Sequence, residues 1–310
     1  MGRRPRPVTV VKALVVLAVI AAAAFYYLTR PALILADAFI AHTPDLKNGE
    51  VVFNAGGCAS CHATPGLDDK TWLGGGLALK TAFGTFHAPN ISSDPVQGIG
   101  AWSEQEFANA MLRGVGRSGE HLYPSFPYTS YQRMKLGDVR DLFAFMRTLP
   151  ADSKPSKAHD LPFPFGVRRG IGLWKLANLD GKTFQADPAH DAVWNRGAYL
   201  VEGPGHCAEC HSKRNELGGI IAASRFAGGP DPEGKGWVPN ITPHADGLAE
   251  WPQKDIAYLL ESGFTPEYDS VGGTMADVVA NTAKLSAEDR AAMATYLKSL
   301  PPRPGKRPAS

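Results

Sequence analysis

Cysteine is scarce: the 310 residues hold four, too few for disulfides to hold together a fold of this length. Dense positive charge is missing as well. The formal net charge is +2, but Arg3, Arg4, Arg6 and Lys12 all precede the first apolar run, so the rest of the chain carries 28 Lys and Arg against 30 Asp and Glu. Such a body lacks the basic surface that nucleic-acid binding requires, and no nucleic-acid partner is expected. No stretch sustains the period-two alternation of half-buried strands. The 33 Gly and 25 Pro mark many loops, without a collagen-like period or a long low-complexity run. At 44% hydrophobic and 20% charged residues the composition is globular, and the length allows two domains.

One long uncharged apolar run is present, ALVVLAVIAAAAFYYL at residues 13–28, directly behind the basic cluster. Sixteen helical residues span about 24 Å, short of a hydrocarbon core of about 30 Å. Val8–Val11 extend the span if the Lys12 ammonium snorkels to the interface. Tyr26 and Tyr27 fall where an aromatic belt meets the headgroups. Residues 1–30 therefore read as a membrane anchor. A cleaved signal peptide, with its site at Ala36-Asp37-Ala38, is the alternative. In both cases the basic flank stays in the cytoplasm and the remainder is exported, which puts the body on the periplasmic face of the inner membrane.

All four cysteines lie in two motifs, Cys58-Ala-Ser-Cys61-His62 and Cys207-Ala-Glu-Cys210-His211. C-x-x-C-H is the pattern of c-type haem attachment. Two thiols one helical turn apart form thioethers to the haem vinyl groups, and the following His62 or His211 ligates the iron. Two covalently bound haem c groups are expected. Zinc ribbons and fingers use far shorter spacing between C-x-x-C pairs. Thioredoxin-like pairs need a βαβ context that the flanks GGCASCHATPG and GPGHCAECHSKR lack.

The duplication extends well beyond the cysteines. Cys58 and Cys207 are 149 residues apart, as are Trp102 and Trp251, and GIGAWSEQEFANAMLRGV reads in register with GLAEWPQKDIAYLLESGF. Pro89-Asn90-Ile91-Ser92 is echoed by Pro239-Asn240-Ile241-Thr242, and GDVRDLFAFMRTLP by EDRAAMATYLKSLP. A repeat of this length is a domain rather than a solenoid unit. In the first unit helices are predicted at Asn48–Ala55, from an N-cap at Ser103 with Glu106 as its capping-box partner to Arg113, and at Lys135–Thr148. In the second they are predicted at Arg196–Glu202, Pro252–Glu261 and Ser286–Leu300. The expected class is all-α: an anchor at 1–30, cytochrome c-like domains at 45–150 and 193–301, and a linker at 151–192. Within that linker DLPFPFGVRRGIGLWKLANL is too apolar for a free tether and reads as a short helix at the domain interface. The tail 302–310, PRPGKRPAS, is expected to be disordered.

Each iron needs a sixth ligand. Met275, in a loop before the second closing helix and 64 residues after His211, is the candidate for haem two; His/Met ligation raises the potential and suits electron transfer. The repeat-equivalent position is Phe126, which has no lone pair to offer. Haem one is therefore left with His121 from the same loop, with Met134, or with an open iron. Met134 aligns with Leu285, a position for an apolar staple before the helix cap. With His62 and His121 as ligands, haem one is expected to have the lower potential of the pair.

The chain resembles the membrane-associated cytochrome c subunits of bacterial alcohol, gluconate and aldehyde dehydrogenases and their dihaem relatives. The motifs that carry the likeness are Pro89-Asn90-Ile91, His121-Leu-Tyr-Pro-Ser-Phe-Pro-Tyr128, Asn195-Arg-Gly-Ala-Tyr-Leu200 and the two haem motifs. Better-known members carry three haem motifs and many have Met where Phe126 stands. The resemblance implies a periplasmic electron carrier with a donor dehydrogenase and a respiratory-chain acceptor. A dihaem enzyme of peroxidase or thiosulfate-oxidising type is the alternative, and it would need one open or unusually ligated iron.

Overall fold

The computed structural model describes residues 7–231 and 236–305. It opens with helix α1, Pro7–Leu28, which takes in the Val8–Val11 extension. Its 22 residues reach about 33 Å at 1.5 Å per residue. Val8–Leu28 is long and apolar enough to cross a membrane, and none of it is buried within the protein.

The first repeat comprises α2 (Leu46–Ala55), α3 (Cys58–His62), a hairpin of β1 (Ala78–Thr81) and β2 (Gly84–His87), then α4 (Glu104–Arg113), α5 (Tyr128–Tyr131) and α6 (Leu136–Met146). Asp45 caps α2 by accepting from the Lys47 and Asn48 amides. Ser103 and Glu106 form the expected reciprocal capping box on α4. The linker contains α7 (Ile171–Asn178). The second repeat comprises α8 (Ala192–Glu202), a hairpin of β3 (Gly229–Pro230) and β4 (Trp237–Val238), then α9 (Gln253–Ser262), α10 (Thr274–Thr282) and α11 (Ala287–Ser299). Ser286 caps α11 through the Asp289 amide, whereas Pro252 stands just before α9 rather than as its first residue. The fold is mainly helical, but all-α overlooks the two small antiparallel hairpins. Strands of two to four residues are too short to show a period in the sequence.

Each repeat is closed by its first helix crossing its last, α2 on α6 and α8 on α11. A glycine permits both crossings. A Cβ on Gly49 would lie 2.3 Å from the Asp141 carbonyl oxygen, and one on Gly197 would lie 1.9 Å from that of Ala292. The first core gathers Val52, Phe53, Phe107, Met111, Leu142 and Phe143. The second gathers Leu200, Val201, Ile256, Leu260, Met293 and Leu297.

As expected, the linker contains a helix at the junction. The Trp174 ring on α7 meets Tyr128 of the first repeat edge-on at 6.2 Å, and its Nε1 donates to the Leu217 carbonyl of the second at 2.8 Å. The tail departs from expectation. The Arg303 guanidinium donates to the Ala222 and Arg225 carbonyls, and the Gly305 amide donates to Asp246. Polar partners on the second repeat therefore order the tail as far as Gly305; residues 306–310 lie outside the described residues.

Widening the glycine crossing tests this packing. Gly197→Val should cost about 1–3 kcal/mol by overpacking, read as a lower denaturant midpoint of helical circular dichroism in detergent.

Candidate haem sites

The two C-x-x-C-H segments are turned by the same local device. Gly57, in the left-handed region at φ 57°, starts α3. His206 takes the equivalent position at φ 38°, ahead of a 3₁₀ turn at Cys207–Glu209. A non-glycine residue there is strained and points to a side chain that is needed.

The histidines of the two motifs, His62 and His211, are oriented identically. The Nδ1–H of His62 donates to the Pro89 carbonyl at 2.8 Å, and that of His211 to the Pro239 carbonyl at 2.8 Å. This bond leaves the Nε2 lone pair of each imidazole for iron, as a ligating histidine requires. Burial lowers both histidines below the ordinary imidazole pKa, opposed by the same carbonyl bond, so the neutral ligating form prevails.

The following asparagine fixes each proline. Asn90 Nδ2 donates to the Asp152 and Lys154 carbonyls at 2.6 and 2.8 Å. Asn240 Nδ2 donates to the Arg303 carbonyl at 2.7 Å. Each Asn Oδ1 also accepts an amide two residues on, from Ser92 or Thr242. The chain beyond each closing helix is thus tied to the loop that orients the haem ligand.

Burial pushes Cys58 and Cys207 up to about 12, opposite to the lowered pKa of reactive thiolates. Among the described residues no group of three or more His, Cys, Asp and Glu could hold a bare metal ion.

The motifs face one another across the domain junction. Burial chiefly pushes Cys210 up to about 11, with Arg214 opposing and Glu209 adding to it, and Cys61 of the opposite motif contributes least. The motif interiors supply the contacts. Glu209 Oε1 accepts from Thr129 Oγ1 at 2.5 Å and Ser130 Oγ at 2.9 Å, while Arg214 Nη2 holds Oε2 at 2.6 Å. Burial alone would raise Glu209, but Arg214 and the two hydroxyls hold it below the usual carboxylate range. Reciprocally, Asn281 Nδ2 on α10 donates to Ser60 Oγ at 2.8 Å. His206 Nε2 donates to the Gly56 carbonyl at 3.3 Å and its ring meets Tyr131 edge-on. Sequence reading missed Ser60, His206 and Glu209; the departure of His206 from its glycine counterpart was the available sign.

The sixth-ligand candidates separate clearly. His121 is not brought to the first haem motif. It is buried, its Nε2–H donates to the Thr29 carbonyl at 2.7 Å, and its Nδ1 accepts from Lys175 Nζ at 3.2 Å. Both nitrogens are committed at the foot of α1, so the expectation of His121 ligation is withdrawn. Met134 is fully buried and packs with Cys58, Met111 and Tyr131 in the first core. Met275 lies in the first turn of α10 rather than in a loop, half-buried against the second core.

The cytochrome c family model matches residues 46–150 and 195–301. The chain belongs to the cytochrome c family. It is 49% identical over 92% of its length to a "diheme cytochrome c-type" protein of Cereibacter sphaeroides, covering 96% of that protein. It is 36% identical over 84% of its length to the fructose dehydrogenase cytochrome subunit of Gluconobacter japonicus, and 37% identical over 87% to the alcohol dehydrogenase (quinone) cytochrome c subunit of Gluconacetobacter polyoxogenes. The chain spans 54% and 60% of those two subunits. As a cytochrome c duplicated within one chain it carries two covalently bound haem c groups, and its work is electron transfer.

Cutting the second tie gives a local test. Asn240→Ala leaves the Arg303 carbonyl with only the longer bond from Thr242 Oγ1 at 3.3 Å, at about 1 kcal/mol for the lost hydrogen bond, and loosens Pro239. A redox titration should show the potential of one haem shifted and the other unchanged.

Proposed function

We propose that this dihaem cytochrome is held in the inner membrane by α1, with both haem domains in the periplasm. It takes electrons from a partner dehydrogenase and passes them to the respiratory chain. The observation that carries the reading is the reciprocal bonding of the motif interiors, Glu209 to Thr129 and Ser130, and Asn281 to Ser60. In this reading the two haems lie on opposed walls of one junction, and an electron entering one domain leaves through the other.

The anchor reading is supported by how the chain leaves the membrane helix. Arg169 Nε donates to Thr29 Oγ1 at 2.8 Å and Nη2 to the Tyr26 carbonyl at 2.7 Å. Beyond Thr29, the Ile34 amide donates to Asn109 Oδ1 and Gln105 Nε2 to the Ile34 carbonyl. Cleavage after Ala38 would strip these partners from the first haem domain. A dehydrogenase donor is supported by the names of the fructose and alcohol dehydrogenase relatives.

Met134 and Met275 are the sixth ligands in this reading, giving both irons His/Met coordination. With both axial positions filled, neither iron is left open for the peroxidase or thiosulfate chemistry of the alternative. In this role the haem iron supplies one-electron exchange; the polypeptide orients the ligands and excludes water from them. Met134→Ala should abolish one of two methionine-to-iron charge-transfer bands and lower one haem potential by on the order of 100 mV, a modest part of the ~0.8 V that axial ligation spans. Two intact bands in that variant would refute Met134.

A further inference from the structure

Beside the foot of α1 lies an exposed apolar surface that neither haem site uses. The linker loop before α7 presents Phe163, Phe165 and Val167, and Phe163 is 88% exposed. On α7 itself Gly172 and Lys175 are buried while Leu173 and Leu176 are exposed. Those two stand three residues apart on one face of the helix. Both repeats add to the same surface. The Phe165 ring meets Phe83 edge-on at 5.1 Å, a Cβ on Gly218 would lie 3.4 Å from Phe83, and Trp174 bonds the Leu217 carbonyl. The Leu217 side chain is 70% exposed.

The membrane helix fixes where this surface lies. Gly172 approaches the helix exit so closely that a Cβ there would sit 2.7 Å from Thr29 Cα. The Arg169 guanidinium bonds the Tyr26 carbonyl and covers the Tyr26 ring at 4.6 Å. Tyr26 occupies the last turn of α1, the level at which aromatic side chains meet the headgroups. Within two residues of Arg169 the chain passes through Gly170 into α7. The exposed apolar side chains therefore begin at the depth where α1 leaves the hydrocarbon.

We propose that α7 and the loop at residues 162–167 form a second membrane contact, seated at the boundary between headgroups and acyl chains. The partner is the lipid surface itself, and the proposal rests on the reading of α1 as a membrane span. Large apolar side chains on one face, with Arg168 and Arg169 behind them, match the make-up of interfacial segments. A single transmembrane helix would leave the body free to swivel. With α7 lying in the interface as well, both haem domains keep one orientation to the membrane.

The test is hydrophobic photolabelling of the full-length holoprotein in phosphatidylcholine vesicles that contain a phospholipid with a photoactivatable diazirine acyl chain. Peptide mass spectrometry should find adducts on α1 and on peptides covering residues 158–182. In a Phe163→Asp, Leu173→Asp, Leu176→Asp variant the adducts at 158–182 should fall at least tenfold. Those on α1 and the spectrum of both haems should be unchanged, which shows that the variant folds. Adducts on α1 but none at 158–182 would overturn the proposal and leave this face to a protein partner. A label-free α1 would instead overturn the anchor reading on which the proposal rests.

Discussion

The buried carboxylate of Glu209 is the interaction on which the arrangement of the two domains depends. It belongs to the second haem motif, yet its hydroxyl donors Thr129 and Ser130 come from the first repeat. Arg214 supplies the compensating charge at 2.6 Å. Removing one member of such a buried set leaves a charge without a partner, at roughly 3–5 kcal/mol. A polar group so placed favours one docking geometry over others that would bury it unpaired. Tyr199, which donates its hydroxyl to Asp138 of the first repeat, and Asn281, which bonds Ser60, repeat the pattern. Two of the residues that hold the domains together, Glu209 and Ser60, lie inside the haem motifs.

Duplication and divergence both show in this junction. The elements shared by the repeats are those that any single haem domain needs. They are the glycine at the helix crossing, the histidine-to-proline-carbonyl bond, and the asparagine that ties the closing segment to that proline. The differences lie where the two copies meet. Gly57 is matched by His206, which reaches the Gly56 carbonyl. Phe126 and Met134 stand where the second repeat has Met275 and Leu285, so sulfur and apolar carbon have exchanged places between two positions of the repeat. Haem one would thus keep a methionine ligand, delivered from a different point in the chain.

Much of this was legible in the sequence because the chemistry is local. C-x-x-C-H needs only five residues, the capping box at Ser103 needs four, and the internal repeat aligned the closing helices. What escaped depends on orientation or on contacts far apart in the chain. Nothing near His121 in sequence reveals that its nitrogens meet Thr29 and Lys175, 92 and 54 residues away. The hairpins and α5 are too short to carry a period. The start of α10 hides in a Gly-Gly-Thr stretch that reads as loop. Arg303 is held by partners more than sixty residues earlier, so composition alone marked its segment as a free tail.

The central claim is that Glu209 and its counterparts hold the two haems against each other within one chain. Low-temperature EPR of the oxidised holoprotein at high dilution tests it most directly. If the claim holds, the fully oxidised spectrum differs from the sum of two isolated low-spin haems through magnetic interaction, and Glu209→Ala weakens that difference. A spectrum that is the plain sum of two independent haems, in wild type and variant alike, would contradict it.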